Sequence, residues 1–140
     1  MDITATFLEK ARELVGPQLI NTYHSGLDEF QFASGKRTWH LVWVQWCALY
    51  LNDKTFVEFF RRAGESLAHP NGAVVMKDNV LPWHAPPLPN TDDGSITRSD
   101  AHLKCLFAAA GLEVVAEQVQ TGMPAHLFPV KSYALRPKRA

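Results

Sequence analysis

Four short polar groupings carry side chains able to bind a ligand or move a proton: Asp2, Gln45-Trp46, Asp78-Asn79 and Asp92-Asp93-Gly94. Gln45-Trp46 closes the run Leu41-Val42-Trp43-Val44, and Asp78-Asn79 closes Ala73-Val74-Val75-Met76-Lys77. Both runs read as buried strands, and an amphipathic helix lies between them. In an open parallel sheet a ligand sits just beyond the carboxyl ends of the strands. An amide, an indole and carboxylates at those ends are therefore placed to hold one. Each grouping also has a plainer reading. Trp43 and Trp46 would serve as core aromatics, Asp78-Asn79 as a strand terminator, Asp92-Asp93-Gly94 as a turn, and Asp2 as a neighbour of a helix cap. Cys47 and Cys105 read as buried thiols of a reducing compartment. No pair of histidines has metal-ligand spacing, so no metal is expected.

The elements that must position these groups follow from periodicity. A helix is predicted from about Thr4 to Val15, with Phe7, Ala11, Leu14 and Val15 on one face and Gly16-Pro17 as its stop. Leu19–Tyr23 reads as a short strand leading into Gly26-Leu27-Asp28. Ser34-Gly35-Lys36-Arg37 is a loop before the strand His40–Trp46. Asn52 caps the next helix, whose buried stripe is Phe56, Phe60, Ala63 and Leu67, with Arg61, Arg62 and Glu65 toward water. Asn71-Gly72 turns the chain into the strand Ala73–Lys77, and Val80–Asp93 is loop with four prolines. Ser99 or Asp100 opens a helix with Leu103, Leu106, Phe107 and Ala110 inward and Gly111 at its end. Leu112–Val119 and Val130–Leu135 are predicted as an antiparallel pair.

The bulk composition narrows the partners. The 140 residues are expected to form one domain over 1–136, followed by a basic tail at 137–140. Lys plus Arg total 14 and Asp plus Glu total 14. That balance argues against a nucleic-acid or anionic-membrane partner. No apolar run reaches membrane-spanning length and no signal peptide is evident, so cytosol or nucleus is the expected setting.

With that order in place, specific residues can be matched to a family. Met1-Asp2-Ile3-Thr4, Ser25-Gly26-Leu27-Asp28, Trp43-Val44-Gln45-Trp46, Phe60-Arg61-Arg62, Pro70-Asn71-Gly72, Lys77-Asp78-Asn79, Asp93–Arg98 and Ser132–Arg136 recur in one order across the chain. In this the chain resembles the protein α-N-terminal methyltransferases, which use S-adenosylmethionine to methylate the amine of a processed protein N-terminus. The resemblance implies a truncated Rossmann-like, seven-stranded α/β methyltransferase sheet with an antiparallel last strand. It implies that Asp2 accepts hydrogen bonds from the cofactor ribose, Gly26 and Leu27 line the adenine, and Gln45 meets the methionine portion. Trp46 would wall the pocket for the substrate's second residue, Trp43 would be core, and Asn79 and Asp93 would hold the amine. Protein N-terminal peptides of X-Pro-Lys type are the implied substrates. A common cleft holding Asp2, Gln45, Asn79 and Asp93 is expected.

Two departures bear on activity. Tyr50 in Leu49-Tyr50-Leu51 stands where the family has its catalytic histidine, and a phenol with an ordinary pKa near 10 is a poor base at neutral pH. The proton-acceptor role then falls more heavily on Asp93. The family's first strand and glycine-rich loop have no counterpart here; Gly16, Gly35 and Gly64 are scattered. Weak or absent cofactor binding and marginal stability are therefore expected of this chain alone. The alternative reading is a non-catalytic module that binds N-terminal peptides or an intact partner enzyme.

Overall fold

A computed structural model describes residues 1–32, 39–68, 72–124 and 126–138. The chain divides into two compact units, Met1–Gln31 and Phe32–Ala140. The predicted loop at Ser34-Gly35-Lys36-Arg37, with Pro70, Asn71 and Arg139, lies outside the described residues.

In the first unit, helix α1 spans Ala5–Val15, and Gly16 ends it at φ +64°. Leu8 is buried, whereas Phe7, Leu14 and Val15 of the predicted apolar face are exposed. Leu19–Tyr23 is extended but is not a strand. One parallel bridge, Asp2 to His24, takes its place. Asp2 donates its backbone N–H to the Tyr23 carbonyl and accepts from the Ser25 N–H, so the ladder stops after a single residue.

In the second unit, strand β1 (Leu41–Gln45), helix α2 (Asp53–Glu65) and strand β2 (Ala73–Leu81) form a parallel crossover unit. Strands β3 (Leu88–Pro89) and β4 (Ile96–Ser99) follow, then helix α3 (Asp100–Ala109) and strands β5 (Leu112–Val119) and β6 (Val130–Pro137). Strand β2 is the hub. Strand β6 runs antiparallel along one edge from Val74 to Asn79, with β5 antiparallel beyond it. The other edge is shared by β1 up to Lys77 and by β4 at Val80 and Leu81. These partners correct the predicted strand end: the ladder runs through Asp78 and Asn79 to Leu81 rather than stopping at Lys77. Likewise β6 continues to Pro137, and Lys138 donates to the Gly111 carbonyl.

The core lies on one face of this sheet. Met76 pairs with Tyr133 across β2 and β6, and the Tyr133 ring meets Phe107 of α3 at 5.3 Å. Phe56 and Phe60 of α2 stack at 4.4 Å, and Phe60 meets Phe107 edge-on at 5.5 Å. Phe56, Phe60 and Ala63 are buried as the stripe predicted, and Leu67 is buried just past the helix end. Strand β1 departs from expectation: only Val44 is buried, and Leu41 and Trp43 are about half exposed. Among the described residues β1 is paired along β2 alone, so its opposite edge gains no cover from a neighbouring strand. Cys105 is also exposed, because Leu103, Leu106 and Phe107 take the inward face of α3.

Both long helices of this unit start on side-chain caps. The Asn52 carboxamide accepts the Thr55 N–H at 3.0 Å, and the Ser99 hydroxyl accepts the His102 N–H at 3.3 Å. Replacing either cap by alanine should lower the unfolding free energy by about 1 kcal/mol, measured by urea denaturation. A loss below a few tenths would show that the cap bond contributes nothing.

Candidate functional site

The carboxyl end of β1 is where the polar groups converge. Gln45 pairs beside Lys77, and Asn79 lies two residues further along β2, so the three side chains share one face of the sheet. The Trp46 N–H still reaches the Lys77 carbonyl at 3.1 Å, but Trp46 then takes φ +49° and leaves the strand. A bulky residue in the left-handed region stores strain, and such strain clusters at functional sites. The Lys77 ammonium stands 5.5 Å from the centre of the Trp46 ring, a cation–π distance. The Gln45 amide oxygen accepts the Trp43 indole N–H at 3.0 Å, which leaves its NH2 group to donate. Trp43 is thus a partly exposed neighbour that orients Gln45, in place of the core residue expected.

After Trp46 the chain makes a 3-10 turn, Ala48–Tyr50, with the Tyr50 ring exposed. Two buried groups lie against this segment. Arg98 of β4 is 2% exposed and donates Nη2 to the Leu51 carbonyl at 2.6 Å and Nε to Asp53 Oδ1 at 2.9 Å. Burial works to raise the Asp53 pKa, yet the bonds from Arg98 and His102 win and hold it below its ordinary value. Asp78, also 2% exposed, lies on the core face with Val74, Met76 and Val80. Its Oδ1 accepts the Asn79 N–H at 2.8 Å, whereas Oδ2 has no hydrogen-bond partner. Burial pushes its pKa up to about 6, against the opposing pull of the Asn79 and Leu49 amides and the Arg98 charge.

Asp93 occupies the exposed turn between β3 and β4. Its Oδ1 accepts the Ser95 N–H at 2.9 Å, and the Asn90 N–H closes the turn on the Ser95 carbonyl at 2.8 Å. Hydrogen bonds from Ser95, side chain and backbone, hold the Asp93 carboxyl below its ordinary pKa. Asp93 is therefore well suited to receive a cation and poorly suited to keep a proton.

In the first unit, Asp2 and Gly26-Leu27 come together through the Asp2–His24 bridge. Asp2 Oδ1 accepts the Thr4 N–H at 2.8 Å. The Gly26 carbonyl accepts from Phe30, and Leu27 is buried. A Cβ on Gly26 would meet Asp28 Oδ1 at 2.5 Å, the tip of a side chain that can swing aside.

The structure thus brings Gln45, Trp46 and Asn79 to one strand end within the second unit, and Asp2, Gly26 and Leu27 together within the first. Asp78 was noted only as part of a strand-end pair, and Arg98 only within a matching motif; neither was given a role in the site. A signal for Asp78 was present: strict alternation from Val74 through Met76 puts it on the buried face. For Arg98, nothing local distinguishes it from a surface arginine.

Comparison with known proteins places this geometry. Residues 1–136 match the family described as AdoMet dependent proline di-methyltransferase. The chain is 36% identical over 139 residues to the alpha N-terminal protein methyltransferase 1 of Caenorhabditis elegans, covering 98% of this chain and 58% of that protein. It is 34% identical to the N-terminal Xaa-Pro-Lys N-methyltransferase 1 of Danio rerio, covering 97% of this chain and 60% of that protein. A Leishmania major SAM-dependent methyltransferase of known structure superposes with a TM-score of 0.84 at 34% identity, covering 94% of this chain and 51% of that one.

Proposed function

The chain belongs to the AdoMet-dependent proline di-methyltransferase family, and we propose that it serves methyl transfer from S-adenosylmethionine to the α-amino group of X-Pro-Lys-type protein N-termini. The observation carrying this reading is the convergence of Gln45, Trp46 and Asn79 where β1 ends, within a chain that matches the family over residues 1–136.

The residues present suit the cofactor chemically. Asp2 offers carboxylate oxygens to ribose hydroxyls, Gly26 and Leu27 a close, apolar approach for adenine, and Gln45 a free NH2 for the methionine portion. S-adenosylmethionine supplies a methyl group on a sulfonium centre, open to in-line attack by a neutral amine. An α-amino group has a pKa of about 8, so a modest proton acceptor suffices at neutral pH. In this reading Trp46 walls the side of the substrate's second residue. Asn79 presents its amide oxygen to the amine, and Asp93 draws in the ammonium. The exposed Tyr50 hydroxyl is the third group offered to the amine. Holding the amine in a near-attack pose is the main contribution these side chains make.

Tyr50 at the family's histidine position, and an Asp93 already held by Ser95, favour a second reading: a module that binds N-terminal peptides without methylating them. One experiment separates the two. The 140-residue chain is titrated with an X-Pro-Lys peptide and with S-adenosylmethionine by calorimetry, and the mixture is analysed by mass spectrometry for added 14-Da increments, about the mass of one CH2. Methylation supports transfer, and binding without methylation supports the module. No peptide binding at millimolar concentration sinks both.

A further inference from the structure

We propose that Asp78 and Arg98 are positioning residues that together pin the Trp46–Leu51 segment onto β2 and β4, and so set Trp46 and Tyr50 against Asn79. This deepens the proposed peptide site and rests on that reading for its functional half.

Two bonds and one buried carboxylate define the arrangement. The Trp46 N–H to Lys77 carbonyl bond, 3.1 Å, is the last rung of β1 on β2. Beyond it the segment leaves the ladder, and the Leu51 carbonyl receives Arg98 Nη2 at 2.6 Å. Between these anchors lies the Asp78 carboxylate, whose Oδ1 takes the Asn79 N–H at 2.8 Å and whose charge is favoured by the nearby Leu49 amide. One buried carboxylate thus stands between the segment that carries Tyr50 and the backbone of the residue assigned to the amine.

Arg98 supplies the second anchor from a fixed place. It pairs with Val80, so β4 places it just beyond Asp78 along the same edge of β2 that β1 vacates. Its guanidinium packs over Phe56 at 5.3 Å and is tied to Asp53, which in turn meets His102 at 2.8 Å. The anchor therefore joins β4 to the first residue of α2 and to α3.

A carboxylate buried with one oxygen unpartnered is an expensive way to build a core. A valine or leucine would fill the place without that cost. The hydrogen-bonding task toward Asn79 and Leu49 gives the charge a reason to be there, and its raised pKa is the sign of the cost.

Amide hydrogen exchange by NMR tests this on the full chain, comparing wild type with Asp78→Asn, Arg98→Lys and a core control, Leu106→Ala. Expected is at least roughly tenfold faster exchange at Leu49 and Asn79 in Asp78→Asn, and at Trp46–Leu51 amides in Arg98→Lys, with α3 and β5–β6 protection retained. The control should lose protection throughout. Unchanged exchange at these amides overturns the proposal, as does an even loss like that of the control. Where wild type binds the X-Pro-Lys peptide, both positioning variants should weaken binding about tenfold, the equivalent of one hydrogen bond. Unaltered affinity with a freed segment overturns the functional half. A wild type that binds no peptide counts against the proposed function itself, and the exchange arm then decides the pinning alone.

Discussion

Asp78→Asn is expected to stabilise the folded chain at pH 7.5 by up to about 3 kcal/mol. The figure corresponds to the difference between a folded pKa of about 6 and the ordinary 3.8. The sign follows from proton linkage. Burial makes the folded state bind the Asp78 proton more tightly than the unfolded chain does. Below about pH 4 both states are protonated and the residue carries no penalty. As pH rises through 6 the folded chain must hold a buried charge, and stability falls. Asparagine keeps the shape and one acceptor oxygen without the charge. Its advantage should therefore be full above pH 6 and vanish by pH 4. Urea unfolding of both proteins at pH 7.5 and pH 4 measures this. An advantage independent of pH, or a less stable variant at pH 7.5, would refute the account. Asp100 and Glu117 act in the opposite sense. Burial works to raise the Asp100 pKa, but Lys131, Tyr133 and Lys104 hold it low. The Lys104 and Lys131 bonds likewise lower Glu117. Their contribution is present at neutral pH and is lost as pH falls through those depressed values. Together with the exchange experiment, the Asp78 variant addresses one trade-off: greater stability against a looser segment at the site.

Phe60→Ala is expected to cost about 3–5 kcal/mol, the range for a fully buried aromatic. Phe60 is fully buried and its ring touches Phe56, Phe59 and Phe107, which join α2 to α3. Against a typical domain stability of about 5–15 kcal/mol, that loss leaves little or nothing. The variant should show a lower urea midpoint, or no cooperative transition at all. Val119→Ala, on the exposed part of β5, should change stability by less than about 0.5 kcal/mol. Equal losses at the two positions would mean that the aromatic cluster is not the centre of the core.

The outcome at the site residues shows where local pattern suffices. Helix caps at Asn52 and Ser99, the Phe56-Phe60-Ala63 stripe and the antiparallel β5–β6 pair follow from spacing that nearby side chains enforce. Strand β4 does not: Ile96–Ser99 lies in a turn-rich stretch and becomes a strand because β3 pairs Ile96 and Thr97 and β2 pairs Arg98 and Ser99. Trp43 was expected in the core and is half exposed, since burial depends on what covers the far side of β1. Asp93 was expected to serve the amine, and its carboxylate stands in an exposed turn where Oδ1 is fixed by the Ser95 N–H, a local bond that spacing alone does not reveal.

The three helices, the strands β1, β2, β5 and β6 in their order, and the motif set that marks the family were set by the sequence alone, because helical and strand periodicities are local. The tertiary structure decided how far β2 runs past Lys77 and that Arg98 closes on Leu51 from 47 positions along the chain. Those outcomes depend on partner strands and on burial, and both come from residues distant in sequence.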